Sequence, residues 1–142
     1  MDQNETLDKF GKFVINVLRD KQIDHFNGLI EGKWRSKKAQ RLYHKLSKFD
    51  RDEKKVIADV VEDILTNATH DLLFAIQVEN SLETGLKVMM DNKNVAELSD
   101  GLHGELFEDQ GWIQRFSKYQ PLSEEDPSGQ PKSFMNKWFG KS

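Results

Sequence analysis

The chain has 142 residues, a formal net charge of −3 and no cysteine, which excludes disulfides, thiolate metal sites and cysteine nucleophiles. That length is one domain's worth, able to bury roughly 65–70% of its unfolded surface. Mean hydropathy is −0.71, and the longest uninterrupted apolar run, residues 72–76, is far too short to span a membrane.

The acidic, polar N-terminal residues do not read as a signal peptide, so a cytoplasmic setting is expected. The charge is unevenly distributed. Residues 33–55 hold ten Lys/Arg against three Asp/Glu, a local +7, which leaves −10 on the remainder. Such a split marks either an acidic partner or a solvated basic helix face.

Leu7, Phe10, Val14, Val17 and Leu18 recur at near-helical spacing, with Asn4 or Thr6 as possible caps. A second amphipathic pattern runs through Ile23, Phe26, Leu29 and Ile30, weakened by Gly28 and stopped by Gly32. Ser36 then offers an N-cap to a helix with the apolar stripe Ala39, Leu42, Tyr43, Leu46 and Phe49. Asp50 and Glu53 resemble a capping box with Asp in place of Ser/Thr. It opens the longest helical pattern, about residues 51–80. Its expected core stripe is Ile57, Val61, Ile64, Ala68, Leu72 and Ala75, with a kink at Thr66, Asn67 and Thr69 and all-round burial over residues 72–76.

The pattern then changes. Residues 86–90 and 95–98 flank the turn-rich 91–94 and read as a β-hairpin, which must lie on the helices to be stable. A short helix is expected around Trp112, Ile113 and Phe116. Beyond Tyr119, three prolines and an acidic cluster read as a linker, and Phe134, Met135, Trp138 and Phe139 lie among Lys132, Lys137 and Lys141. The expected fold is therefore mainly α (α+β): an antiparallel helical bundle with one small β-hairpin packed on it. It divides into a helical domain over residues 1–119, a flexible linker over 120–133 and an aromatic-basic terminal segment over 134–142.

Three groups of residues are candidates for function. The first is His70, Asp71, Asp100, His103 and Glu105, the last three around the glycines of Ser99-Asp100-Gly101-Leu102-His103-Gly104-Glu105. Imidazoles and carboxylates suit a divalent metal or acid–base chemistry. The plainer reading is that these carboxylates rivet the glycine loop through backbone amides. On a helical projection Asp71 falls within the apolar sector, where an unpaired charge is too costly. Glycine in this loop reads as turn geometry. No nucleophile elbow, Walker loop or dinucleotide fingerprint is present.

The second group is the basic stripe Lys38, Arg41, Lys45 and Lys48, with Trp34 beside it as a possible stacking platform. The third is the terminal segment with Phe134, Trp138 and Phe139, suited to a partner groove, a membrane surface or its own domain.

The segments His70-Asp71-Leu72-Leu73-Phe74-Ala75 and Val95-Ala96-Glu97-Leu98-Ser99-Asp100-Gly101-Leu102-His103-Gly104-Glu105, followed by Gly111-Trp112, resemble a family of small bacterial cytoplasmic proteins of unknown function. The resemblance covers about residues 7–119. It implies a bacterial cytoplasmic setting, and that His70, Asp71, Asp100, His103 and Trp112 belong to one recurring feature. It implies no activity, substrate or cofactor.

The leading expectation is a small non-enzymatic binding or regulatory module whose partner is a protein, contacted through the basic face and the terminal segment. The alternatives are a metal-dependent or acid–base hydrolase using the His/Asp/Glu group, and an immunity-type protein that neutralises a toxin. No cofactor or metal is expected, and nucleic acid is the less favoured partner.

Overall fold

The computed structural model describes residues 3–107 and 109–120. Glu108 and the linker and terminal segment, with Phe134, Trp138 and Phe139, lie outside the described residues. Residues 3–31 form one continuous helical rod in three parts: α1 (Gln3–Val14), a π-helical segment (Ile15–Asp20) and α2 (Lys21–Glu31). The expected caps at Asn4 and Thr6 are not used, because the helix already starts at Gln3 and Thr6 is buried within it. The two sequence patterns are one helix whose register shifts. In the π segment the Lys21 N–H bonds to Asn16 O, five residues back. The widened turn brings Ile15, Arg19 and Asp20 inward together and leaves Val17 exposed.

Gly32, left-handed at φ 70°, ends α2 as expected. In α3 (Lys37–Leu46), Ser36 Oγ accepts from the Ala39 N–H at 3.1 Å. Its stripe is only weakly used: Ala39 is buried, whereas Leu42 and Phe49 are exposed, and Phe49 lies past the helix end.

The capping box at the start of α4 (Arg51–Asn80) is formed in both directions. Glu53 N–H donates to Asp50 at 2.8 Å and Asp50 N–H to Glu53 at 3.1 Å. The expected kink is absent, and α4 is continuous. Thr69 Oγ1 donates to Leu65 O at 2.7 Å and Thr66 receives a bond from Arg19, so both hydroxyls are satisfied without breaking the helix.

The expected core stripe of α4 is a more important correction. The buried face carries Ala58, Glu62, Thr69, Leu73 and Ile76; of the expected stripe, Ile57 and Val61 are half-buried against the core, while Ile64, Ala68, Leu72 and Ala75 are exposed. The apolar run 72–76 is therefore buried on one side only. Lys87 Nζ donates to the carbonyls of Asn80 and, at 3.0 Å, Leu82 at the end of α4, where a cation complements the helix dipole.

The hairpin is shorter than the sequence pattern predicts. β1 (Met89–Met90) pairs antiparallel with β2 (Lys93–Asn94). Asp91 and Asn92 make the turn with φ of 52° and 64°, the doubly left-handed geometry that Asp and Asn tolerate and tight hairpins require. The expected second strand is instead a 3₁₀ turn (Val95–Leu98), started by Asn94, whose side chain accepts from the Ala96 N–H. A second 3₁₀ turn (Leu102–Leu106) and α5 (Trp112–Phe116) follow.

The rod and α4 run antiparallel. Near one end, Ile23 and Phe26 meet Ala58 and Tyr119. Toward the other, Leu7, Phe10, Val14 and Ile15 share a larger core with Leu73, Ile76, both 3₁₀ turns and Trp112. A Cβ on Gly11 would lie 2.4 Å from the Trp112 ring, so only glycine lets that indole rest on the rod. Among the described residues no helix is long and apolar enough to cross a membrane.

Candidate functional site

Three of the five expected site residues meet. His70 Nδ1 lies 3.1 Å from Asp71 Oδ1. The His103 ring stands edge-on to those of His70, at 5.4 Å between centroids, and Phe74, at 5.0 Å. Phe107 leans on His70 at 6.1 Å. Beside them is an open depression of about 340 Å³ lined by Asp63, Thr66, Asn67, His70 and Phe107. His103 Nδ1 is buried without a hydrogen-bond partner among the described residues.

Asp100 is exposed, and Glu105 is held elsewhere, accepting from Ser99 Oγ at 2.8 Å. Among the described residues no three His, Asp or Glu side chains are grouped so as to hold a metal.

Asp71 is not core-facing: its side chain is 69% exposed, because the buried face of α4 lies on its far side. It therefore cannot rivet the glycine loop. Gln77 of α4 does so. Its amide donates to Ala96 O at 3.1 Å and accepts from the Leu102 N–H at 2.9 Å, which ties both 3₁₀ turns to the helix. Ser99 Oγ adds a bond from the Gly101 N–H at 3.1 Å. Nor is a left-handed turn the reason for glycine at 101, where φ is 174°.

Lys38, Arg41, Lys45 and Lys48 are all exposed, on α3 and the turn after it. Trp34 is not a free stacking platform. Its indole N–H donates to His25 O at 2.8 Å and its ring stacks on His25 at 5.9 Å. A Cβ on Gly28 would lie 2.1 Å from that ring.

Two features escape the sequence pattern. The first is a buried ionic network centred on Arg19, which is fully buried. Its guanidinium reaches Glu62 at 3.0 Å, Asp20 at 3.4 Å, Ser117 Oγ at 2.6 Å and Tyr119 O at 2.7 Å. Burial pulls its pKa below the usual value, and Glu62 and then Asp20 oppose that shift. Asp20 also accepts from Ser117 Oγ and the Lys118 N–H. The network thus joins the π segment, α4 and the residues that follow α5. Burial, with the hydrogen bond to Asp24, raises the Tyr119 phenol pKa.

The second feature is the outward side of α4. Val56 (61% exposed), Val60 (51%), Ile64 (59%), Phe74 (48%) and Val78 (46%) stand in solvent. With Asn67 and Asp71 between them, they recur every three or four residues along the side opposite Glu62, Thr69 and Leu73. That spacing is close to the 3.5-residue period of a helix–helix seam.

Comparison with protein families, curated proteins and solved structures finds no match for this chain.

Proposed function

We propose that this chain is a small non-enzymatic protein-binding module whose contact surface is the outward face of α4. The observation that supports this is the exposed row Val56, Val60, Ile64, Phe74 and Val78 on a helix whose opposite side already supplies the core. Over residues 56–78 the row runs about 33 Å at 1.5 Å per residue. The row is two apolar stretches, Val56 to Ile64 and Phe74 to Val78, separated by Asn67 and Asp71, and exposed apolar groups aligned on one side of a helix with polar margins favour an interaction site over scattered surface hydrophobes. Its near-heptad spacing fits an apolar helix as the docked element.

The basic residues Lys38, Arg41, Lys45 and Lys48 are a separate surface, on a helix that buries only Ala39. The hydrolase reading lacks its assembly of groups, because His70, Asp71 and His103 meet while Asp100 and Glu105 do not join them.

Site-specific photo-crosslinking in cells of the source organism tests the proposal. A photoreactive side chain at Ile64 or Phe74 is expected to give discrete protein adducts, and one at exposed Lys12 none. Adducts at Lys45 and not at Ile64 would move the contact to the basic face and overturn the assignment.

A further inference from the structure

We propose that the chain carries its own occupant for this face: residues 134–139 fold back in cis onto the outward side of α4. The inference rests on reading that side as a helix-docking face, and it names what covers it.

Charge complementarity is the first argument. The exposed carboxylates Asp52, Glu53, Asp63 and Asp71 stand on or beside the apolar row. A second copy of α4 would bring these carboxylates against their own kind, and like charges held close are destabilising. The terminal segment has the opposite character. Lys132, Lys137 and Lys141 surround Phe134, Met135, Trp138 and Phe139. In a helical conformation those four apolar residues, at i, i+1, i+4 and i+5, share one face and the lysines fall outside it.

The second argument is where the described chain stops. Tyr119 is buried against Ala58 of α4 together with Ile23 and Phe26, and its carbonyl is held by Arg19, which also binds Glu62 of α4. The chain thus leaves the described fold beside α4, on the side of the helix where Ala58 is buried. A helix is about 10–12 Å across. The chain from Gln120 to Phe134 can extend to roughly 45 Å, enough to pass round α4 and reach any part of the row. Tethering at that length gives an effective concentration in the millimolar range, so an intrinsically weak contact suffices to keep the face covered.

Because the chain has no cysteine, one nitroxide can be placed cleanly at Ser142→Cys in the full chain. Amide signals of Val60, Ile64, Phe74 and Val78 are expected to lose more than half their intensity relative to the reduced label, at any dilution, while those of Lys45 and Gln40 on α3 keep theirs. Trp138→Ala with Phe139→Ala should restore the α4 signals, and Lys132, Lys137 and Lys141→Glu should restore them in part. Unchanged α4 signals would overturn the proposal. So would broadening that appears only on mixing labelled with isotopically enriched chains and grows with concentration, which would assign the face to a second copy. Adducts at Ile64 alongside an unbroadened α4 would sink the cis contact and leave the docking face standing; no adducts together with an unbroadened α4 would sink both.

Discussion

Arg19 is the residue on which the interior depends most. A guanidinium without solvent exposure is tolerable only because Glu62 and Asp20 neutralise it and Ser117, Tyr119 O and Thr66 accept further hydrogen bonds from it. Removing one partner leaves a buried charge uncompensated. Glu62→Ala is therefore expected to cost about 3–5 kcal/mol in urea denaturation, and Arg19→Met with Glu62→Leu less than the two single changes together. Asp59 is a milder case of the opposite sign. Burial, opposed by Lys55, raises its pKa above 3.8, and its Oδ1 is buried without a hydrogen-bond partner among the described residues. Its folded pKa lies above its unfolded one, so its charge subtracts from stability at neutral pH and the penalty is relieved as pH falls through the folded pKa. Asp59→Asn should thus raise the melting temperature at pH 7, by no more than about 1 kcal/mol equivalent once solvent screening is allowed for. That gain should shrink toward pH 4. None of this was legible in the sequence. Arg19 sits beside Val17 and Leu18 in an apolar pattern, and its partners lie 43, 98 and 100 positions away.

At the scale of elements, the end of α2 and the starts of α3 and α4 were legible, whereas the start of α1 and the faces of α4 were not. Ser36, Gly32 and the Asp50–Glu53 box act through their nearest neighbours, so local chemistry was enough to place them. The Glu53 N–H, the main cause, holds the Asp50 carboxyl below 3.8. Its folded pKa is lower than its unfolded one, so its stabilisation is present above the unfolded value and lost as pH falls below about 4. Asp50→Ala should lower the helicity and melting temperature at pH 7, with the difference from the parent closing as the pH drops. Asp50→Asn, which caps without titrating, should not show that closure. The faces of α4 were misread because apolar residues occupy both sides while Glu62 and Thr69 lie on the buried one. Periodicity alone cannot choose between two stripes when the polar residues that would break the tie are themselves buried. The π segment misleads in a similar way, since an inserted wide turn changes which residues share a face. In the hairpin, the apolar residues Val95 and Ala96 are buried in a 3₁₀ turn, a result that β-propensity could not separate from a strand.

For the whole molecule, the antiparallel pairing of the rod with α4 encloses two apolar clusters joined by the Arg19 network, and the outward side of α4 takes no part in either. Of the glycine-loop residues that stand out in the sequence, Ser99 donates to Glu105 and accepts from the Gly101 N–H. Gln77 and Ser99 fix the loop, while His70, Asp71 and His103 form an aromatic-flanked margin of α4. The measurement that bears most directly on this division of α4 is the unfolding free energy of Val60→Lys with Ile64→Lys. If that side is a docking face and not core, the double variant should unfold within about 1 kcal/mol of the parent, as exposed substitutions do, while Leu73→Ala on the opposite side loses about 2–5 kcal/mol. A loss of the Leu73→Ala size from the two lysines would show that the outward row is part of the folded core, and the docking face would have to be abandoned.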